Sequence, residues 1–347
     1  MFYRPGHGFN LSMEKIPNLK ILTVNRHTGY LYNLSKIGHH WSVLNEWVQR
    51  NRPLPANFEP VEWPAARRDF SEFDAVIGHD IRRDVARFLP YCLRYHKPYI
   101  QVIHGRRGRG GFSRSRLRGA VKFLYSNLAL GTLVRLGLVR LVYISPYARS
   151  DWGLAGTTIG QGIPLDEMGP YEGTEASLLT VGNMLHREHF AFDHLMEISA
   201  RVPVRIVGDN PEIASCRPSR DWNELRSLYC RHRAYLNLTR EPEDGYNLAL
   251  LEAMASGMPV ISLKHPSSPI RNGENGFLVE NASEAVERAK QLIADRELAR
   301  HLGKCARVTI EQKFSMDNFR TAWNNLLSMS VRPAGNQTAR IAERHKA

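Results

Sequence analysis

Short apolar runs alternate with polar loops and helical segments along most of the chain. In the first half the runs fall at 19–24, 41–44, 73–79, 98–103, 141–145 and 157–163. In the second half they fall at 177–181, 204–207, 234–238, 260–263 and 277–279. Such runs, bounded by turn residues and separated by helices, are typical of buried strands in an α/β sheet. The pattern therefore predicts the α/β fold class.

Helices are predicted between many of these strands. They fall at 30–37, 81–95, 221–230, 247–256, 283–295, 297–312 and 317–327. Residues 45–72 are rich in Pro and Trp without a clear period, which indicates a loop-rich insertion. Residues 165–176 have the composition of a linker. We therefore expect a first domain over 1–165, a second over 166–327 and a disordered polar tail over 328–347.

The segment 239–260 combines a polar loop, an apolar helix and a clear helix stop. Thr239 to Gly245 is rich in turn residues and predicts a loop. The helix that follows is apolar on almost every side, and Gly257 and Pro259 end it. Because α/β sheets bind ligands beyond the carboxyl ends of their strands, this loop lies at the expected ligand edge. The helix N-terminus after it can receive a phosphate.

Two acids in this segment are candidate ligand groups. Glu252 stands alone in an apolar helix, where burying an unpaired carboxylate is costly. It is either solvated or bonded to backbone at the helix edge, or it accepts both protons of a vicinal diol. Asp244 precedes it by a distance of about 12 Å along a helix, so the two suit opposite ends of a long ligand. Asp244 is also suited to cap the helix.

The segment as a whole resembles a known signature. Asp244 to Glu252, Asp-Gly-Tyr-Asn-Leu-Ala-Leu-Leu-Glu, is followed by Ala-Met-Ala-Ser-Gly-Met-Pro-Val and resembles the E-x7-E signature of family-4 retaining glycosyltransferases. The first acid is Asp rather than Glu, and Gly-Tyr-Asn replaces Gly-Phe-Gly. The resemblance covers roughly residues 19–327 and is strongest over 177–280. It implies the GT-B fold, two Rossmann-like domains with a cleft between them.

The resemblance also implies roles for the residues of the signature. Asp244 would lie by the donor sugar, and Glu252 would hold the ribose of the nucleotide. The backbone after the first acid would cradle the sugar and phosphate, which concerns Gly245, Tyr246, Asn247 and Leu248. The implied donor is a nucleotide-diphosphate sugar, used as a substrate, with no cofactor.

The loop after the strand at 177–181 departs from the family. Relatives carry Gly-Arg and then a Lys in this loop, and the two cations grip the diphosphate. This chain has Gly182 and Asn183, with His189 in place of the Lys. Arg187 lies in the same loop and is permanently charged, so we predict that it does most of this work with His189 assisting. The alternative is the helix N-terminus after Asp244, with Arg240 nearby.

Five further candidate residues are found, two in the second half of the chain and three in the first. Gly208 and Asp209 resemble the family's Gly-Asp-Gly turn near the nucleotide base. On the acceptor side, His27 and Gly29 occupy the loop after the first strand, which lines the cleft in the family. His104 follows the strand at 98–103, where the family commonly places a histidine near the donor sugar. His104 is otherwise an ordinary strand-end histidine, and His27 an ordinary loop residue.

Charge adds anionic partners to this picture without choosing among them. The net charge is +13, which attracts nucleotides, phosphorylated glycans, nucleic acid and membranes alike. Seven basic residues without an acid crowd the stretch 106–122: Arg106, Arg107, Arg109, Arg114, Arg116, Arg118 and Lys122. This stretch is a solvated loop, or, with the apolar residues 123–141, an anionic lipid surface contact. Nucleic acid is the least favoured partner, because no recognition motif and little aromatic interleaving are present.

The remaining composition indicates a cytoplasmic protein. The four cysteines form no CxxC pair, which is typical of free thiols in a reducing compartment. The first residues lack the apolar core of a signal peptide, and no run is long enough to span a bilayer. We expect a cytoplasmic enzyme, peripheral at the inner face of the membrane if the basic stretch binds lipid. No metal-binding constellation stands out.

These observations favour a retaining glycosyltransferase that moves a sugar from a nucleotide-diphosphate sugar to a glycan, lipid-linked or small-molecule acceptor. His104, Asp244 and Arg187 are its candidate catalytic residues. Two alternatives stay open: a nucleotide-sugar epimerase, which shares the GT-B fold, and a non-catalytic basic scaffold of the same fold.

Overall fold

The computed structural model describes residues 18–47, 52–105, 128–187, 190–241 and 246–331. Within them the chain forms two separate parallel β-sheets with helices packed against them. The basic stretch 106–122 and the predicted tail lie outside the described residues, apart from the first few residues of the tail. So do three predicted site residues, His189, Asp244 and Gly245.

The first sheet has seven parallel strands in the order β3-β2-β1-β4-β5-β6-β7. The strands are β1 Lys20–Val24, β2 His40–Leu44, β3 Phe58–Pro60, β4 Ala75–Gly78, β5 Tyr99–Ile103, β6 Arg140–Tyr143 and β7 Thr157–Thr158. Its helices are α1 Thr28–Ser35, α2 Trp63–Arg68, α3 Arg83–Arg94, α4 at residues 128–135 and α5 Pro146–Trp152. The strand order reverses between β1 and β4, which is where such sheets bind ligands.

The second sheet has five parallel strands in the order β12-β11-β10-β8-β9. They are β8 Glu175–Val181, β9 Val204–Val207, β10 His232–Asn237, β11 Val260–Leu263 and β12 Gly276–Val279. The helices are α6 Phe192–Ser199, α7 Trp222–Arg231, α8 Leu248–Ala255, α9 Ala282–Ala294, α10 Arg296–Lys313 and α11 Met316–Val331. Here the order reverses between β8 and β10.

The last helix packs on the opposite half of the molecule. Phe319 and Trp323 of α11 are buried in the same core as Ile21 and Ile77 of the first sheet. Side-chain contacts fix this docking, since Asn324 Oδ1 lies 3.1 Å from His39 Nε2. The helix therefore ties the end of the described chain to its beginning.

Two expectations differ from the structure. Residues 45–72 are not only a loop-rich insertion, because β3 extends the first sheet beside β2, and α2 follows it. These elements are too short to show a hydrophobic period. The sequence patterns also did not predict α6. The first sheet ends at Thr158 and the second begins at Glu175, and the exact domain limits stay a prediction.

Candidate functional site

A cavity of about 460 Å³ lies between the two halves of the molecule. Its wall is built from residues of both sheets and of the helices that follow them. The described residues that line it are Arg26, His27, Thr28, Gly29, Tyr30, His104, Ile144, Gln161, Asn183, Phe190, Thr239, Tyr246, Asn247 and Leu248. Cavities of roughly 300–1,000 Å³ are the usual size for small-molecule sites.

Strand ends explain why these residues meet. His104 and Ile144 come directly after β5 and β6, and Asn183 and Thr239 come two residues after β8 and β10. The carboxyl ends of parallel strands lie at one edge of a sheet. The two such edges face each other here, and the cavity is the crevice between them.

Two helices begin at this crevice. α1 starts next to His27, and α8 starts next to Asn247, whose Oδ1 accepts a hydrogen bond from the Leu250 N–H at 2.9 Å. Both helices therefore direct their N-terminal backbone amides and the positive end of their dipoles to the wall of the cavity. The halves come close at this point, because a Cβ added to Gly29 would lie 2.6 Å from Leu248 Cδ2. A larger residue than glycine would not fit there without a shift of Leu248.

An arginine–aspartate pair organises the floor on the first-half side. Arg26 Nη2 donates to Asp84 Oδ1 at 2.7 Å, and the Asp84 carboxylate is fully buried. Asp84 Oδ2 also accepts the backbone N–H groups of His79 and Asp80, each at 2.8 Å. The hydrogen bond to Asp84 raises the pKa of the Arg26 guanidinium. Arg26 is thus a fixed cation in the cavity wall, and Asp84 holds the backbone at the end of β4.

Three histidine rings lie together beside this pair. The His27 and His104 ring centroids are 4.0 Å apart, and His79 Nδ1 lies 2.8 Å from His104 Nε2. Tyr30 packs edge-on against His104, with ring centroids 4.8 Å apart. Burial lowers the pKa of His104 well below its usual value and that of His79 to about 3. The rings of His79 and His104 are therefore neutral at physiological pH.

The loops after β8 and β9 are bonded to each other. Asn183 Oδ1 accepts the Asp209 N–H at 2.8 Å, and Asp209 O accepts the Met184 N–H at 3.0 Å. Gly208 has φ +143°, and a Cβ on it would lie 2.0 Å from Gly182 O. This position accordingly requires glycine. Asn183, which stands where relatives carry an arginine, here joins the two loops and lines the cavity.

Glu252, the residue predicted to hold a ribose, is buried beside Arg52. It is 3% exposed, and it is not among the described residues that line the cavity. Arg52 donates to its Oε1, and the Tyr229 hydroxyl donates to its Oε2 at 3.1 Å. Burial raises the pKa of this carboxyl group, and the Arg52 guanidinium opposes that effect. Both carboxylate oxygens accept from protein donors and the side chain is buried, so a ribose would reach it only if neighbouring side chains moved.

Apart from His189, Asp244 and Gly245, which lie outside the described residues, the predicted site residues divide into two groups. The structure brings seven of them together around the cavity: His27, Gly29, His104, Asn183, Tyr246, Asn247 and Leu248. Among the described residues, those outside the cavity wall are Gly182, Arg187, Gly208, Asp209, Arg240 and Glu252. Arg187 is exposed, and its Nη2 lies 2.7 Å from Met184 Sδ. The helix cap predicted as a second role for Asp244 belongs to Asn247.

Sequence reasoning missed several functional candidates. Arg26 lies in the predicted loop after the first strand, but nothing in the sequence indicates that it pairs with Asp84. Arg52 lies in the stretch interpreted as an insertion. The only signal for it was indirect, since a carboxylate at Glu252 in an apolar helix requires a buried partner. His79 ends a predicted strand, but nothing in the sequence shows that it reaches His104.

The described ranges contain no group of three or more His, Cys, Asp or Glu side chains that could hold a metal ion. None of the helices in them combines the length and apolar character needed to cross a bilayer.

Residues 175–295 match the sequence profile of the family described as Glycosyl transferases group 1. A Staphylococcus aureus poly(ribitol-phosphate) alpha-N-acetylglucosaminyltransferase is 33% identical over 90 residues, which is 24% of this chain and 18% of that protein. A Bacillus anthracis N-acetyl-alpha-D-glucosaminyl L-malate synthase is 35% identical over 83 residues, 23% of this chain and 22% of the other. The matched part thus spans less than a quarter of either relative.

Solved structures match over nearly the whole chain. Anabaena HepE, crystallised with UDP and glucose, superposes with a TM-score of 0.68 at 13% identity and covers 90% of this chain and 100% of its own. A glycosyltransferase from Rickettsia africae gives a TM-score of 0.64 at 14% identity, over 92% and 100% of the two chains. At these identities the likeness shows the fold, which is GT-B. The predicted fold class is confirmed.

Proposed function

Because the chain has the GT-B fold and carries a glycosyl transferases group 1 domain over residues 175–295, we propose that it is a retaining glycosyltransferase. It transfers a sugar from a nucleotide-diphosphate sugar to a glycan, lipid-linked or small-molecule acceptor. The observation that carries the proposal is the cavity between the halves, lined by residues from both. A donor on one wall and an acceptor on the other would be held together, which is the main requirement of group transfer.

The second half supplies the donor side of the proposed site. The N-terminus of α8, with Tyr246, Asn247 and Leu248 in the cavity wall, receives the diphosphate. Asp244, two residues before Tyr246 and outside the described residues, is proposed to face the transferred sugar. Glu252 is proposed to bind the ribose, and because it is buried against Arg52, this contact requires Arg52 to move aside.

The first half supplies the acceptor side. His27 and Gly29 border the acceptor at the start of α1, and His104 stands on the cavity floor, where the two substrates meet. The Arg26 guanidinium adds a fixed positive charge to the same wall. It attracts phosphorylated ligands to the crevice.

The choice of donor follows the relatives. Two have names that specify N-acetylglucosaminyl groups, and HepE was crystallised with UDP and glucose. We therefore propose a UDP-sugar, with UDP-glucose and UDP-N-acetylglucosamine as the first donors to test.

The test is a panel of UDP-, GDP-, ADP- and TDP-sugars, scored by thermal shift and by release of nucleoside diphosphate, with and without EDTA. When an acceptor is present, a retaining transferase releases a nucleoside diphosphate. The anomeric configuration of its product, determined by NMR, is the same as that of the donor. Metal independence requires the same rate in EDTA. Interconversion of donor sugars without acceptor identifies an epimerase, and binding of no donor identifies a scaffold.

Arg187 is proposed to meet the charge that develops on the leaving diphosphate. It is exposed in the loop that holds Asn183, and within the described residues its side chain hydrogen-bonds to Met184 Sδ. Charge stabilisation confined to the transition state appears in the rate, so Arg187→Ala should lower kcat more than it raises KM. Arg240→Ala tests the competing assignment of the cation. If Arg240→Ala lowers kcat and Arg187→Ala does not, the cation comes from the loop before α8 instead.

A lipid-linked acceptor would bring the protein to a membrane surface. The basic stretch 106–122, which lies outside the described residues, supports peripheral binding through its charge. Sedimentation with anionic liposomes should then fall as salt rises, while neutral liposomes bind weakly. Equal binding to both, or to neither, removes the membrane from the proposal.

A further inference from the structure

A row of hydrogen bonds runs from the inside of the first sheet to His104. Thr23, fully buried on β1, has its hydroxyl oxygen 3.0 Å from Ile77 O and 3.1 Å from His79 Nε2. On the other side of the same ring, His79 Nδ1 lies 2.8 Å from His104 Nε2. These three contacts connect β1, β4 and the end of β5 in one line that stops at the cavity.

Counting protons decides the direction of each bond in this row. Burial keeps both rings neutral, so each carries a single N–H. Ile77 O can only accept, so the Thr23 proton must point to it if that contact is a hydrogen bond. Thr23 Oγ1 then accepts from His79 Nε2–H, and His79 Nδ1 accepts from His104 Nε2–H. All three contacts are satisfied in this arrangement.

The opposite arrangement leaves one contact without a proton. If Thr23 donated to His79 Nε2, its oxygen and Ile77 O would face each other 3.0 Å apart with no hydrogen between them. Two buried acceptors in contact are repulsive and lose a hydrogen bond. The first arrangement is therefore the stable one.

We propose that Thr23 and His79 are positioning residues that fix the tautomer of His104, so that its ring presents an unprotonated Nδ1 to the cavity. Tyr30 and His27 pack on the His104 ring and hold its plane. Packing alone does not choose between the two nitrogen atoms, whereas the row from Thr23 does. Within the described ranges no hydrogen bond is formed at His104 Nδ1.

The chemistry of this nitrogen sets the kind of group it binds. An unprotonated imidazole nitrogen accepts from a hydroxyl or an amide N–H and repels the oxygen atoms of a phosphate or carboxylate. This step rests on the proposed glycosyltransferase function: His104 would accept a hydrogen bond from a sugar hydroxyl, and the N-terminus of α8 would bind the diphosphate. The orientation of the sugar in the crevice would then depend on a threonine that never touches it.

The test replaces the hydroxyl that begins the row. Thr23→Val keeps the shape but removes the acceptor, so His79 Nε2–H would be buried without a partner. If His79 carries its proton on Nδ1 instead of Nε2, no donor is left without a partner. His79 Nδ1–H then donates to His104 Nε2. His104 should change from the Nε2–H to the Nδ1–H form. The readout is the two-bond ¹⁵N–¹H correlation pattern of ring-labelled histidines, with His104→Gln and His79→Gln spectra for assignment.

Two matched variants separate positioning from a general loss of structure. Thr23→Ser keeps the hydroxyl and should restore the wild-type tautomers. Thr180→Val removes a buried strand hydroxyl that donates to Leu236 O at 2.5 Å and touches no histidine. It should leave both rings unchanged. With a donor that turns over, Thr23→Val should lower kcat/KM by roughly tenfold, and Thr23→Ser should recover it.

The outcomes distinguish this inference from the proposed function. Protonated Nδ1 on His104 in the wild type, or unchanged tautomers in Thr23→Val, overturns the positioning role whether or not sugar is transferred. Tautomers as expected in a protein that turns over no donor would support the row and overturn the transferase. A tautomer change in Thr180→Val as large as that in Thr23→Val would also overturn the positioning role.

Discussion

Histidine protonation is the residue-scale feature with the clearest energetic consequence. His79 is buried, His104 is half-buried beside it in the cavity wall, and burial lowers the pKa of both below the ordinary value of 6.5. Charging either ring would place a cation in the core beside Arg26, without a carboxylate of its own. Neutral rings are consequently part of the folded state.

This predicts how stability depends on pH. Between the lowered folded-state pKa and the unfolded value near 6.5, the unfolded chain binds more protons, so the free energy of unfolding falls as the pH falls below about 6.5. A histidine that stays neutral in the folded state costs about 2 kcal/mol at pH 5 relative to pH 8. Urea unfolding of wild type and His79→Gln from pH 8 to 5 measures it. In the variant, the free energy of unfolding should depend less steeply on pH. The same pH dependence in both proteins would show that His79 can be protonated in the folded state.

The site residues show how far single-sequence reasoning reaches at this scale. The strand end before His104 and the helix start at Asn247 are visible in the sequence, whereas the resemblance to the family singled out these two residues. Glu252 was expected at a ligand, but it contacts Arg52, two hundred positions away in sequence. A pairing between residues so distant leaves no trace in local periodicity. Only the cost of burying the carboxylate hinted that a partner was needed.

At the scale of elements, the helix that begins at the cavity carries the donor site. α8 is apolar on nearly all sides and buried, so its position is fixed by packing rather than by solvent. Its N-terminus is the part left for a ligand, and Asn247 both caps the helix and lines the cavity. The sequence predicted α8 and its end well, because Gly257 and Pro259 are unambiguous stops. It could not predict β3, which is too short to show a period, and α6 went unrecognised although its apolar residues recur at helical spacing.

Removing the cap of α8 should affect both stability and donor binding. Asn247→Ala loses the side-chain bond to the Leu250 N–H and should lower the free energy of unfolding by about 1 kcal/mol. It should also weaken UDP binding, measured by calorimetry, since the helix terminus frays where the phosphates bind. Asn281→Ala is the control, because Asn281 caps α9 through the Glu284 N–H at 3.0 Å and does not line the cavity. Equal effects of the two variants on UDP affinity would remove α8 from the donor site.

At the scale of the whole molecule, the two halves are joined by packing and by polar contacts. Helix α11 packs on the first sheet although it follows the second in sequence. Glu167 forms a second junction, where it accepts from the Tyr32 hydroxyl at 2.9 Å and from Trp222 Nε1 at 3.1 Å and pairs with Lys36. The polar junctions were not predictable, because their members look like ordinary surface residues in sequence.

The Arg52–Glu252 pair is the most buried of the junctions between the halves. The side chains of Arg52 and Glu252 are 5% and 4% exposed, and the guanidinium lies 3.5 Å from the centre of the Trp222 ring. A buried ion pair is stable only while both partners remain, since removing one leaves an uncompensated charge in the interior. Its net contribution relative to apolar residues is small, but breaking it is costly.

A double-mutant cycle therefore tests the pair. Arg52→Met and Glu252→Met should each lower the free energy of unfolding by about 3–5 kcal/mol, while the double variant, which buries no charge, should lose far less than the sum. The exposed pair Lys264–Glu280 serves as the control, and its coupling should be far smaller, because solvent and salt screen it. Urea unfolding gives both couplings, and similar values would mean that Arg52 and Glu252 do not hold the halves together. UDP affinity of the double variant separates the two roles of Glu252, because a ribose contact requires the affinity to fall even though the fold is retained.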